Sequence, residues 1–118
     1  MKNVIEEKSF KFAIRIVNLC RHITENKKEY ILSKQLLRCG TSIGANVSEA
    51  ERGQSKADFY AKMNIALKEA NETDYWLRLL QATNYLNDTE YDSIVKDINE
   101  IISILVAITK TAKLENQE

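Results

Sequence analysis

The chain has 118 residues, with 17 basic and 17 acidic side chains, no proline and three glycines. That length suits one domain with a real core but not two. The scarcity of breakers points to a mostly helical chain. No apolar run approaches the roughly 20 residues of a membrane span, and the start, MKNVIEEKSF, lacks the apolar core of a signal peptide. Cys20 and Cys39 lie far apart within apolar patterns, which reads as two free buried thiols and a cytoplasmic setting.

The zero net charge hides an uneven spread. Between residues 8 and 38 there are eight basic residues against Glu25 and Glu29. From residue 49 onward eight basic residues face thirteen acidic ones. The first half offers a basic surface and the second an acidic one. The plain structural reading is that helix faces pair with each other or with solvent.

Helix A is expected over about 4–25. Phe12, Ile16, Leu19 and Ile23 form its core stripe, and Phe10, Ala13, Val17 and Cys20 form a second stripe beside it. So wide an apolar face implies more than one neighbour. Asn26 and Glu29 have capping-box spacing between helices A and B.

Helix B is expected over about 29–51, on Leu32, Leu36, Cys39, Ile43, Val47 and Ala50. The pattern runs straight through "GTSIGAN", at 40–46, so the glycines lie inside a helix. A phosphate loop would need a preceding strand and another glycine spacing. Gly40 and Gly44 share one face, and their missing side chains allow close approach of another helix or of a second subunit. A polar series, Arg38, Ser42, Asn46 and Glu49, runs beside them. The break falls at "RGQS", where Gly53 suits a left-handed cap and Ser55 with Asp58 forms a capping box.

Helix C is expected over about 56–84. Its seam, Phe59, Met63, Ala66, Ala70, Thr73, Leu77 and Leu80, alternates steps of four and three without a slip. An antiparallel turn near Gly53 sets Arg38 opposite Glu69 and Glu49 near Lys62. Glu69 and Glu72 read as ion-pair residues, not as metal ligands, because a carboxylate di-metal bundle also needs Glu-x-x-His pairs. The single histidine, His22, has no partner at that spacing. Trp76 reads as a packing anchor.

"NDTE" gives another turn and cap. Helix D is expected over about 89–113 on Tyr91, Ile94, Ile98, Ile101, Leu105, Ile108 and Ala112, with the tail LENQE frayed. Four long helices with short connections define an all-α, antiparallel up-down-up-down four-helix bundle occupying residues 1–118. No catalytic residue, cofactor site or metal site emerges: Ser42 lacks a base, and no titratable pair is arranged for acid–base work.

The block "QLLRCGTSIGANVSEAERGQSKADFYAKMNIALKEANETDYWLRLL", at 35–80, resembles the bacterial four-helix-bundle family named after proteins encoded in 23S rRNA intervening sequences. The fold group includes the accessory protein of diversity-generating retroelements. The resemblance covers Arg38, Ser42, Asn46, Glu49, Ser55, Phe59, Lys62, Glu69, Glu72 and Trp76. It implies a bundle that assembles as a pentameric ring, has no enzymatic activity and, in the retroelement relative, binds nucleic acid and a reverse transcriptase through basic surfaces. The expected function is a non-enzymatic homo-oligomeric adaptor that binds RNA or a ribonucleoprotein through Lys8, Lys11, Arg15, Arg21, Lys27, Lys28 and Lys34. The alternative is a protein–protein scaffold without nucleic-acid binding.

Overall fold

Asn3 starts the first helix: its side-chain oxygen accepts from the backbone N–H groups of Ile5 and Glu6 at 3.1 and 3.2 Å. Helix α1 then runs Val4–Lys27, α2 Ile31–Glu51, α3 Lys56–Ala82 and α4 Asp88–Gln117. These come from a computed structural model that describes residues 3–117. Each helix packs on its two ring neighbours, α1 on α2 and α4, α3 on α2 and α4. The diagonal pairs make no close backbone approach. The result is a four-helix bundle with extents of 50 × 26 × 20 Å.

The core follows the heptad-like stripes. Phe12, Ile16 and Ile23 of α1, Leu36, Cys39, Ile43 and Val47 of α2, Met63, Ala66, Ala70, Leu77 and Leu80 of α3, and Ile98, Ile101 and Leu105 of α4 are all buried. At about 1.5–3 kcal/mol for each large side chain, this burial is the main force holding the helices together. Leu19, Phe59, Tyr91 and Ile108 lie at its edge, partly buried.

The helix ends differ from the sequence expectation in several places. Asn26 lies inside α1 and its amide bonds to His22 Nδ1 at 2.7 Å, so it caps nothing. Glu29 does the capping alone: its carboxylate accepts from the N–H groups of Ile31, Leu32 and Ser33 at 2.8–3.0 Å. α1 ends on Lys28, which takes the left-handed conformation at φ 56°. Gly53 has no positive φ; among the described residues the left-handed positions are Lys28 and Asn84. What Gly53 provides is room, since a Cβ there would stand 3.1 Å from the Ala50 carbonyl oxygen.

Ser55 caps α3 through the Asp58 N–H at 3.0 Å. Asn87 and Glu90 form a reciprocal capping box at α4, at 2.9 and 2.8 Å. α4 does not stop near residue 113 but stays helical through Gln117.

Candidate nucleic-acid interface

The expected basic contacts divide into two groups. The first lies on the lower half of α1 and is already neutralised. Lys8 bonds Glu100 at 2.9 Å, and Lys11 bonds Glu7 at 3.0 Å. Arg15 bonds Asp97 at 2.5 Å and also reaches the Ser93 carbonyl and hydroxyl oxygens at 3.2 and 2.7 Å. The hydrogen bond to Glu100, with that carboxylate's charge, holds the Lys8 ammonium pKa above its ordinary value. Higher on the same seam, His22 Nε2 faces Glu90 at 3.2 Å. An open groove of about 470 Å³ follows this α1–α4 seam, floored by Leu19 and Ile94.

Arg21, Lys27, Lys28 and Lys34 form the second group. They are exposed, and among the described residues none of them has a carboxylate within ion-pairing distance. Lys27, Lys28 and Lys34 flank the α1–α2 turn at one end of the bundle, and Arg21 lies nearly two helical turns below the end of α1. Of the two carboxylates in this stretch, Glu29 is turned into the start of α2. Burial by itself would push its pKa up, but the three backbone N–H groups and the Ser33 hydroxyl outweigh that and lower it. Tyr30 and Ile31 stand beside it, 59% and 76% exposed.

The polar series of α2 faces α3. Arg38 pairs with Glu69 at 3.4 Å and also with Glu72. Glu72 in turn accepts from Trp76 Nε1 at 3.0 Å, and Lys62 reaches Glu49 at 3.8 Å. Ser42 and Asn46 lie on this face but serve their own helix, donating to the carbonyls of Arg38 and Ser42 at 2.7 and 2.9 Å. The seam therefore ties two helices together, and its carboxylates are committed to Arg38, Trp76 and Lys62. Trp76 is partly buried against the core, with the Tyr75 ring edge-on at 5.1 Å.

Gly40 and Gly44 pack against α1 of the same chain. A Cβ on Gly40 would stand 2.9 Å from Ile16 Cγ1 and Cγ2, and one on Gly44 would stand 3.2 Å from the Ser9 carbonyl oxygen. The second apolar stripe of α1 is different, because the chain itself leaves it open. Cys20 is buried and Ala13 half-buried, but Phe10 and Val17 are 67% and 37% exposed, and Ile14, which the sequence pattern does not place in the stripe, joins them on one helix face at 49%.

Burial pushes the Cys20 thiol up to about 12 and the Cys39 thiol up to about 11, so both stay protonated at neutral pH. Among the described residues no three His, Cys, Asp or Glu side chains converge on a metal-sized site. No helix among them is long and apolar enough to cross a membrane.

The sequence reading missed the α4 partners Ser93, Asp97 and Glu100. The charge asymmetry between the two halves was their only trace. It also missed Glu29 as sole cap, although a glutamate four residues before Ser33 was visible.

Comparison with known proteins follows the same lines. A family model described as 23S rRNA-intervening sequence protein matches residues 1–107. Among solved structures, the chain is similar to a protein of unknown function from the S23 ribosomal protein family of Bacteroides thetaiotaomicron VPI-5482. The two are 55% identical with a TM-score of 0.89, over 91% of this chain and 99% of that one. Among curated proteins, none matches.

Proposed function

Because the chain belongs to the 23S rRNA-intervening sequence protein family, we propose that it is a non-enzymatic, self-associating adaptor that contacts RNA or a ribonucleoprotein. The contact is made by Arg21, Lys27, Lys28 and Lys34. The observation that carries this reading is the split among the basic residues: Lys8, Lys11 and Arg15 are tied to carboxylates, whereas these four lie unpaired toward one end of the bundle. Phosphate oxygens are the natural partners of such unpaired cations. The reading is non-enzymatic because the carboxylates of the α2–α3 seam are engaged and both thiols are buried and protonated. Free buried thiols also suit a cytoplasmic setting.

Self-association rests on the open stripe Phe10, Ile14 and Val17. Leaving that stripe in water costs hydrophobic free energy that a second copy recovers. The pentameric ring implied by the family resemblance predicts a particle five times the 13.6 kDa of one chain. Light scattering checks this, and a stable monomer removes it.

Filter binding to a structured RNA tests the contact itself. Binding at about 50 mM salt that falls steeply toward about 200 mM salt is expected. Absence of binding at about 50 mM salt and micromolar protein rejects the RNA contact. That result would favour the second reading, a protein–protein scaffold, which the same open stripe supports.

A further inference from the structure

At one end of the bundle two turns lie side by side. The α3–α4 turn tucks its apolar side chains away: Leu86 is 1% exposed, and Tyr85 packs against the core. The α1–α2 turn instead presents Tyr30 and Ile31 to solvent. We infer that the α1–α2 turn is a platform for unpaired nucleic-acid bases. Tyr30 stacks on a base while Lys27, Lys28, Lys34 and Arg21 hold the flanking phosphates. This rests on the RNA-contact reading above and narrows it to single-stranded segments.

Three features carry the inference. First, the turn is already ordered. Glu29 caps three N–H groups of α2, the Ser33 hydroxyl donates to the Glu29 carbonyl at 2.9 Å, and the Lys28 N–H closes α1 onto the Ile23 carbonyl. A ligand therefore meets an aromatic side chain carried on an already ordered backbone, which lowers the ordering cost of binding. Second, the charge matches a polyanion, with four cations over residues 21–34 against Glu25 and Glu29. Glu29 is spent as a cap. Third, an aromatic face bordered by lysines is the pairing that binds single strands, where every base offers a stacking surface. In an A-form duplex those faces are covered by neighbouring bases. An anionic bilayer would also attract lysines, but only two apolar side chains stand here to insert, too few for the broad apolar face of an interfacial helix.

The test compares a fluorescent oligouridine of about ten nucleotides with a G·C-rich RNA duplex of about the same length, which stays paired, at about 50 mM salt. Phosphatidylserine vesicles are run in parallel. Tyr30→Ala, Tyr30→Phe and the double substitution Lys28→Gly with Lys34→Gln are compared with the wild type. Equal particle mass in light scattering is required of each. Tyr30→Ala is expected to weaken single-strand binding about ten-fold and to leave duplex binding unchanged, with Tyr30→Phe close to wild type. The lysine variant weakens both. If Tyr30→Ala leaves single-strand affinity intact while the lysine variant lowers it, phosphates alone are contacted: the platform is overturned and the adaptor reading stands. Binding of neither RNA overturns both readings. Vesicle binding that needs Tyr30, without RNA binding, overturns them in favour of a lipid surface.

Discussion

Helix α1 is held in two different ways. Toward α2 the backbones are drawn in by Gly40 and Gly44, and Ile16 fills the space where a Cβ would be. Toward α4 the approach is the sparsest of the four helix contacts, with an open groove, and Lys8 and Arg15 bridge it with ion pairs. The close seam fixes where α1 sits. The charged seam contributes little stability, since half-exposed ion pairs are worth up to about 1 kcal/mol. Its larger consequence is electrostatic. It neutralises the lower half of α1, so that the cations α1 leaves unpaired among the described residues, Arg21, Lys27 and its capping Lys28, lie in its upper part.

The largest expected effect comes from breaking the close seam. Gly40→Leu has no room beside Ile16 and should destabilise by about 3 kcal/mol or more, visible as a lowered midpoint in urea. Gly40→Ala is milder, because about 1 kcal/mol of helix propensity offsets part of the clash. Ile16→Ala should therefore cost less in the Gly40→Ala background than in the wild type, a coupling that a double-mutant cycle reads directly. At the charged seam, Arg15→Ala should cost no more than about 1 kcal/mol, with the difference vanishing in high salt.

The Glu29 cap lies between these in kind, local but built on backbone groups. Its loss in Glu29→Ala should cost about 1 kcal/mol at neutral pH. Because its folded pKa is lowered, its contribution is full above the unfolded value of about 4.3 and disappears as pH falls through the folded value. Glu29→Gln should therefore flatten the acid limb of the stability curve below about pH 5 relative to wild type. The smallest effect concerns the thiols: Cys20 and Cys39 should react with a thiol reagent only as the bundle opens, at a rate that follows unfolding.

Much of this was legible beforehand, for a physical reason. Residues in a helix repeat every 3.6 positions, so the core stripes could be read directly. The short turn around Gly53 fixes the register of α2 against α3, which is why Arg38 with Glu69 and Glu49 with Lys62 could be paired from their numbers. α1 and α4 are joined by no turn. Their register depends on how the bundle closes, and Arg15 with Asp97 left no local mark. The same limit applied to the glycines. Spacing showed that Gly40 and Gly44 admit a neighbour, but whether that neighbour was Ile16 of the same chain or a second subunit depended on tertiary packing. The glycine face is thus used up within the chain, and on α1 the exposed stripe of Phe10, Ile14 and Val17 remains open.

The measurement that bears most directly on this division removes two charges from each region and follows RNA binding as a function of salt. One variant carries Lys28→Gly with Lys34→Gln; the glycine also relieves the left-handed backbone at Lys28. The other carries Lys8→Gln with Arg15→Gln. The first should bind more weakly, with a salt dependence shallower by about 1.4 in log–log slope for single strands, and the second should bind as the wild type does. Equal losses in both variants, or a loss confined to the Lys8 and Arg15 pair, would contradict the account.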